Sequence, residues 1–303
     1  MIKYNTEPNA YIELDGIKIP QFFAKESKNI DQDVVSDFGD EWIKFDSFDT
    51  EELATIGDTY FNLLESRSIT DKSEVLDIGC GTGRWAYYLA DQVGFIEAID
   101  PSKAVISASK LLAKKKNTRI TQCDLENIPF DEKSFDLVYS LGVLHHMPDT
   151  KEAINIATTF VKTNGYLLLY LYYSLDNRGL LFKSIFHISN LFRQVICRLP
   201  KGLKQIVCDV IGLFVYYPLV GLAKLLKRAN VSKSIWSKLP LSVYAENDCS
   251  LQILRNDALD RFGTKLENRF SRVEIKSMME NAGLDNIEFS ENAPYWVAIG
   301  RKK

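Results

Sequence analysis

The run Val75-Leu76-Asp77-Ile78-Gly79-Cys80-Gly81-Thr82-Gly83 constrains the fold of this chain more than any other segment. Residues 75–78 read as a short buried strand, apolar apart from one acid, and alternating glycines then open a helix at Arg84-Trp85-Ala86-Tyr87. A strand that runs through a Gly-rich turn into a helix lets a ligand approach the backbone, because a Cβ at Gly79, Gly81 or Gly83 would stand in its way. Asp77 decides what kind of ligand. A helix N-terminus favours an anion such as pyrophosphate, and an acid inside the strand gains nothing beside one. A cationic ligand suits it.

The segments downstream arrive in the order of a parallel α/β sheet. Residues 94–100 read as a second strand ending in Asp100, where an acid can bond both hydroxyls of a ribose. Pro101 and Ser102 are expected to start the next helix, with Ser102 as N-cap and Lys114-Lys115-Lys116 at its C-terminal end. Residues 119–123 form a third strand followed by Asp124-Leu125, and residues 135–140 a fourth followed by Leu141-Gly142-Val143-Leu144-His145-His146. Residues 165–173 form the fifth. Near the C-terminus, a helix over 271–282 precedes a hairpin of 284–290 and 295–302 about Asn292-Ala293-Pro294.

The string VLDIGCGTG resembles motif I of the class I S-adenosylmethionine (SAM)-dependent methyltransferases, and the core is similar to the methyltransferase type 11 group. The resemblance implies a Rossmann-like seven-stranded α/β sheet closed by a C-terminal antiparallel hairpin, with a largely helical insertion after the fifth strand. It implies SAM as cofactor, held through Asp77, Gly79, Cys80, Gly81, Gly83, Asp100, Pro101, Ser102, Asp124, Leu125 and Leu141. In the family, an acid at the position of Asp124 faces the adenine amino group, and the next amide faces a ring nitrogen. More narrowly, Phe38-Gly39-Asp40-Glu41-Trp42, GTGRW, LGVLHHMPDT, LYLYYSLDNR, RFSRVEI and PYW together resemble a bacterial subgroup that accompanies surface-glycan assembly.

Four regions follow: an N-terminal extension over 1–70 with a helix at 51–66, a SAM-binding core over 71–173, an insertion over 174–262, and a closing helix and hairpin over 263–303. The N-terminus has no apolar signal segment, so a cytoplasmic protein is expected. Five cysteines (Cys80, Cys123, Cys197, Cys208, Cys249) form no CxxC and read as reduced thiols. With three histidines, two of them adjacent, no metal site is expected.

The insertion carries the most individual composition. Between residues 177 and 240 there are eleven Lys or Arg and one acid, Asp209, although the chain as a whole is −3. Leu181, Ile185, Ile188, Phe192, Val195 and Leu199 keep helical spacing, and an eighteen-residue apolar run over 206–223 is broken by Asp209, Gly212, Pro218 and Gly221. A bilayer-spanning helix is disfavoured by the acid and proline. Two readings stay open: a helical lid with solvated charges, and a surface that lies on the inner face of an anionic membrane or grips a lipid-linked acceptor. Binding of RNA phosphates is argued against by the density of Leu, Ile and Phe between the charges.

Methyl transfer from a sulfonium needs alignment of donor and nucleophile and, for a hydroxyl, a proton acceptor. His145 and His146 follow the fourth strand at the carboxyl edge of the sheet, so one of them is the candidate base or orienting group. Tyr172, Tyr173, Tyr244 and Glu246 are candidates for the acceptor site, and Trp42 and Arg84, grouped with them, for closing over the methionine moiety of the cofactor. The expected activity is metal-independent O-methylation of a sugar in a glycan or glycolipid precursor. A quinone, lipid or tRNA methyltransferase and a non-catalytic SAM-binding protein are the alternatives. Oligomeric state is left open.

Overall fold

The computed structural model describes residues 2–14, 16–24, 26–44, 50–176, 179–236, 239–245, 251–292 and 294–303, with backbone alone at 40–44, 50–52, 181 and 243. The chain divides into two compact units, residues 1–176 with 266–303, and residues 177–265.

The first unit is built on one nine-stranded sheet in the order β1-β2-β5-β4-β3-β6-β7-β9-β8. The strands are β1 (Ala10–Leu14), β2 (Ile17–Phe22), β3 (Glu74–Ile78), β4 (Phe95–Asp100), β5 (Thr118–Cys123), β6 (Phe135–Leu141), β7 (Val161–Tyr170), β8 (Leu284–Phe289) and β9 (Val297–Lys302). Neighbours from β2 to β7 pair parallel, whereas β1 on β2, β9 on β7 and β8 on β9 are antiparallel. Two strands exceed the expected seven. The β1–β2 hairpin adds beside β5, with Ile19 and Phe22 of β2 buried and Gly16 at φ +80° in the turn between the strands.

Helices α1 (Gln32–Lys44), α2 (Thr50–Phe61), α3 (Arg84–Leu89), α4 (Val105–Leu112), α5 (Thr150–Thr159) and α11 (Arg272–Asn281) belong to this unit. Buried parallel strands need cover on both faces. One core layer joins Leu76, Phe135, Val138, Leu144, Ile154, Leu167 and Met279; the other joins Val75, Trp85, Leu89, Ile96, Tyr139 and Leu168. The alternation of Val75 and Leu76 between the two layers is the period of two expected of a central strand.

Ser102 does not cap α4 as expected. That helix begins at Val105, and Ser102 is drawn instead to Asp100: its amide and hydroxyl both donate to Oδ1, at 2.8 and 2.5 Å. Lys114 to Lys116 fall just beyond the helix, which ends at Leu112 with Ala113 as its C-cap. Ser271 does cap α11, in a full capping box with Glu274.

The second unit holds α6 (Leu180–Ile196), α7 (Lys201–Ile211), a π-helical turn (Gly212–Tyr216), α8 (Tyr217–Arg228), α9 (Lys233–Trp236) and α10 (Leu251–Gly263). Its own core is Ile196, Cys208, Tyr216, Val220, Leu254, Ala258 and Phe262. Gly212 lets α10 come close: a Cβ there would lie 3.0 Å from the Arg255 Cα.

Candidate active site

Four strand ends meet at the carboxyl edge of the sheet. The turn after β3 places Gly79, Gly81 and Gly83 at φ of +76°, +53° and +79°, a region costly for residues with a Cβ. The amides of Gly79 and Cys80 both donate to the Ile99 carbonyl, at 2.8 and 2.9 Å, and the Gly81 amide donates to Asp100 Oδ2 at 2.9 Å. The glycine turn is thereby tied to the end of β4. Gln122 of β5 holds the next turn, its Nε2 donating to the carbonyls of Pro101 (3.0 Å) and Ser102 (3.1 Å). At the end of β5, Asp124 Oδ1 accepts from the Glu126 amide at 3.0 Å and from Asn127 Nδ2 at 2.9 Å, while Leu125 packs into the core.

The acids here are unusual in their environment. Asp77 is 1% exposed, and its Oδ2 is buried with no hydrogen-bond partner among the described residues. Burial pushes its carboxyl up to about 8, against the nearby Tyr139 hydroxyl and with reinforcement from Asp100. Asp100 is also raised by burial, against the hydrogen bonds from Ser102 and Gly81. Thr82 Oγ1 is a second buried, unpartnered polar atom in the same turn. A buried carboxylate without a partner is costly and is relieved by a cation. Cys80 is buried, and burial raises its thiol, so it is a packing residue rather than a nucleophile.

The loop after β6 leans on the glycine turn, since a Cβ on Gly79 would lie 2.6 Å from the methyls of Val143. It then forms a short 3-10 turn, Leu144–His146. Three backbone and side-chain ties fix that turn. Asn268 donates its amide to the His145 carbonyl at 2.9 Å and its Nδ2 to the Met147 carbonyl at 3.1 Å, and His146 Nδ1 lies 2.7 Å from the Leu266 carbonyl. A carbonyl only accepts, so Nδ1 of His146 is the donor here, and Nε2 is the ring nitrogen left for another partner. Just beyond, Asn29 bonds both the amide (2.7 Å) and the carbonyl (2.8 Å) of Asp149.

His145 is fully buried, with neither ring nitrogen bonded among the described residues, and burial holds its imidazole well below the usual range. Its ring stacks on Tyr172 at 3.9 Å. From there aromatic rings run on in a band. Phe38 lies 4.9 Å from His146, Tyr172 5.9 Å from Tyr170, Tyr170 5.2 Å from Tyr60, and Tyr60 5.0 Å from Trp85. Arg84 stands over the Trp85 ring at 4.7 Å.

The structure therefore brings Asp77, the glycines, Asp100, Pro101, Ser102, Asp124, Leu141, His145, His146, Tyr172 and Arg84 to one edge. Tyr173 turns to Tyr295, 5.7 Å away, and its carbonyl accepts from Arg269. Tyr244 packs on the core of the second unit. The Trp42 side chain and Glu246 lie outside the described residues. Among the described residues no three His, Cys, Asp or Glu converge as a metal-holding group. The strap over 266–269, whose ties are mostly to backbone, carries no sequence signal, and Tyr60 joins the band from a helix that the sequence places only as part of the N-terminal extension.

Residues 76–169 match the family model described as a methyltransferase domain. The ubiquinone biosynthesis O-methyltransferase of Coxiella burnetii is 27% identical over 180 residues, covering 58% of this chain and 74% of that protein. An uncharacterized methyltransferase of Bacillus subtilis, YcgJ, is 26% identical over 127 residues, 41% of this chain and 50% of that one. The crystal structure of YcgJ aligns with 80% of this chain and 71% of its own at a TM-score of 0.47 and 16% identity. The matched domain coincides with the strands and glycine turn described above. This chain is a methyltransferase. Its cofactor is S-adenosylmethionine.

Proposed function

We propose that the chain methylates a hydroxyl oxygen on a small, ring-bearing acceptor that is lipid-linked or membrane-resident, at the inner face of a membrane. The observation that carries this reading is the aromatic band from His146 through Tyr172, Tyr170 and Tyr60 to Trp85, joined to the glycine turn by the Val143 contact. Stacked and edge-on aromatic surfaces suit a flat hydroxylated ring.

The residues fit the cofactor. Its ammonium and sulfonium answer the buried carboxyl of Asp77, whose Oδ2 has no hydrogen-bond partner among the described residues. Gly79 and Gly83 serve the turn through their positive φ and close packing, since a Cβ there would meet Val143 and Leu112 and not, as the sequence suggests, a ligand. Asp100, with Pro101 and Ser102, takes the ribose; Asp124, Leu125 and Leu141 take the adenine side. The cofactor supplies a methyl group on a sulfonium, open to in-line displacement by an oxygen nucleophile. The protein's own part is to orient that oxygen and receive its proton. His146 does the second, because its Nδ1 proton is committed to Leu266 and Nε2 is the basic nitrogen. His145, kept neutral by burial, shapes the loop through its stack on Tyr172.

A quinol-type ring is the first acceptor, as the similarity to the Coxiella burnetii ubiquinone O-methyltransferase suggests. A sugar hydroxyl of a glycan or glycolipid precursor is the second, since a pyranose face packs on the same aromatic band. The test is methyl-tritiated SAM incubated with fractionated membrane extract. Label that partitions into lipid and co-migrates with a quinol supports the first; label released as a sugar by acid hydrolysis supports the second. Label in RNA or protein, or SAM binding without turnover on any fraction, overturns both.

A further inference from the structure

Two helices of the second unit turn apolar faces outward, α6 and the continuous helix over Lys201–Arg228. On α6, Ile185, Ile188, Phe192 and Val195 recur at spacings of three and four and are 46, 57, 62 and 66% exposed. The opposite face carries Arg193, 8% exposed, whose guanidinium donates to Asn190 Oδ1 and to the carbonyls of Thr264 and Lys265 at 2.8, 2.8 and 3.2 Å. The next helix repeats the pattern. Leu203, Ile206, Val210, Phe214 and Tyr217 face outward, while Lys204 is buried and donates to the Gly263 carbonyl at 3.3 Å. Of the exposed large apolar side chains among the described residues, all but Tyr11, Phe23 and Val273 fall between 180 and 251. A water-facing helix turns its cations out and its leucines in.

We infer that α6 and the helix over Lys201–Arg228 lie in the interfacial plane of an anionic phospholipid bilayer, with their outer apolar faces in the acyl boundary. This deepens the membrane-side location proposed above and rests on it, but not on the identity of the methyl acceptor. The charge is complementary: the segment 177–240 carries eleven cations and one acid, and of the cations Arg193 and Lys204 are turned inward, whereas Arg198, Lys201 and Arg228 are exposed. That acid, Asp209, is held by both ends of the Arg255 guanidinium, at 2.9 and 2.7 Å.

The same pair argues against crossing the bilayer. Lys201–Arg228 is long and apolar enough to span one. Spanning would, however, draw Asp209 and the charged helix α10, with Arg255, Asp257, Asp260 and Arg261, into hydrocarbon. Cations also stand at both ends of the long helix, Arg198 and Lys201 at its start and Lys227, Arg228 and Lys233 at its end. An in-plane helix sets both groups at one headgroup layer, whereas a spanning helix would separate them.

The experiment is co-sedimentation of the full chain with phosphatidylglycerol-containing and with pure phosphatidylcholine vesicles, at low salt and without acceptor. Binding to the anionic vesicles should be at least tenfold tighter, since each cation near such a surface adds roughly fivefold. Lys227→Gln with Arg228→Gln should weaken it about tenfold or more on the same basis. Phe192→Asp with Phe214→Asp should abolish it, and both double variants should keep wild-type SAM affinity. Release of bound protein by alkaline carbonate supports the in-plane arrangement; retention overturns it in favour of spanning. No vesicle binding by the folded protein, or a vesicle-independent dimer broken by Phe214→Asp, overturns the membrane as partner. Vesicle binding without methyl transfer to any lipid fraction leaves this inference standing and sinks the acceptor reading.

Discussion

A Cβ placed on Gly79 would lie 2.6 Å from both methyls of Val143, so the cofactor turn and the loop that carries His145 and His146 share one surface. A substitution in either is felt by the other. Gly79→Ala combines this collision with a φ of +76°, which alone costs about 1–2 kcal/mol. SAM affinity by calorimetry should fall at least tenfold. Val143→Ala added to it should recover part of the loss, by removing the collision and leaving the backbone strain.

Asp100 is expected to anchor the ribose while accepting from the Gly81 amide. Asp100→Ala removes charge-assisted bonds worth about 1.5–3 kcal/mol each. A drop in SAM affinity of tenfold or more should result in a variant with unchanged far-ultraviolet dichroism. An affinity within twofold of wild type would refute the assignment.

Stability should depend on pH through the buried acids. Burial pushes Asp77 up to about 8 and Glu97 up to about 7, the latter despite its 2.7 Å ion pair with Arg119. An unfolded carboxyl titrates near 4. Above that pH the unfolded chain has released protons that the folded chain still holds, so folding stability falls as pH rises from about 4 to about 8. The ligand-free protein should melt progressively lower across this window. Asp77→Asn should flatten the slope and, at pH 8, raise Tm by about 2–4 °C for each kcal/mol relieved, while weakening SAM binding.

The two histidines should separate cleanly. His146→Gln should lower kcat with the identified acceptor by about 10²- to 10⁴-fold, with SAM affinity retained. His145→Phe keeps a ring to stack on Tyr172 and should retain most of the activity. Equal losses in both, or a collapse of SAM affinity in His146→Gln, would assign the pair a purely structural role.

The glycine turn and the strands from β3 to β7 were legible because they are local: strand, turn and helix each follow from a handful of consecutive residues. The β1–β2 hairpin was also signalled, by Asp15-Gly16 between two alternating runs, but Pro20 within the second run masked it as a strand. The strap at 266–269 left no trace, because its hold on His145, His146 and Met147 is made to backbone atoms some 120 residues away. In the insertion the helical period was visible. Which face is covered was not, because periodicity is blind to direction: Arg193 and Phe192 are neighbours in sequence and opposites in exposure.

The N-terminal segment also settles how the sheet ends. Strand β2 pairs with β5 only at Gln21 and Phe22, and along the rest of β5 the Tyr4 hydroxyl meets Thr121 at 2.7 Å while Arg119 donates to the Ile2 carbonyl. The first twenty-two residues thus act as an edge guard. Without them the end of β5 at Gln122 and Cys123 would lose its strand partner and the rest of its edge the cover of Ile2 and Tyr4, leaving a template for intermolecular strand addition. What remains open at that side is β1, a five-residue strand with Glu13 near its end, short and charged enough to discourage self-association.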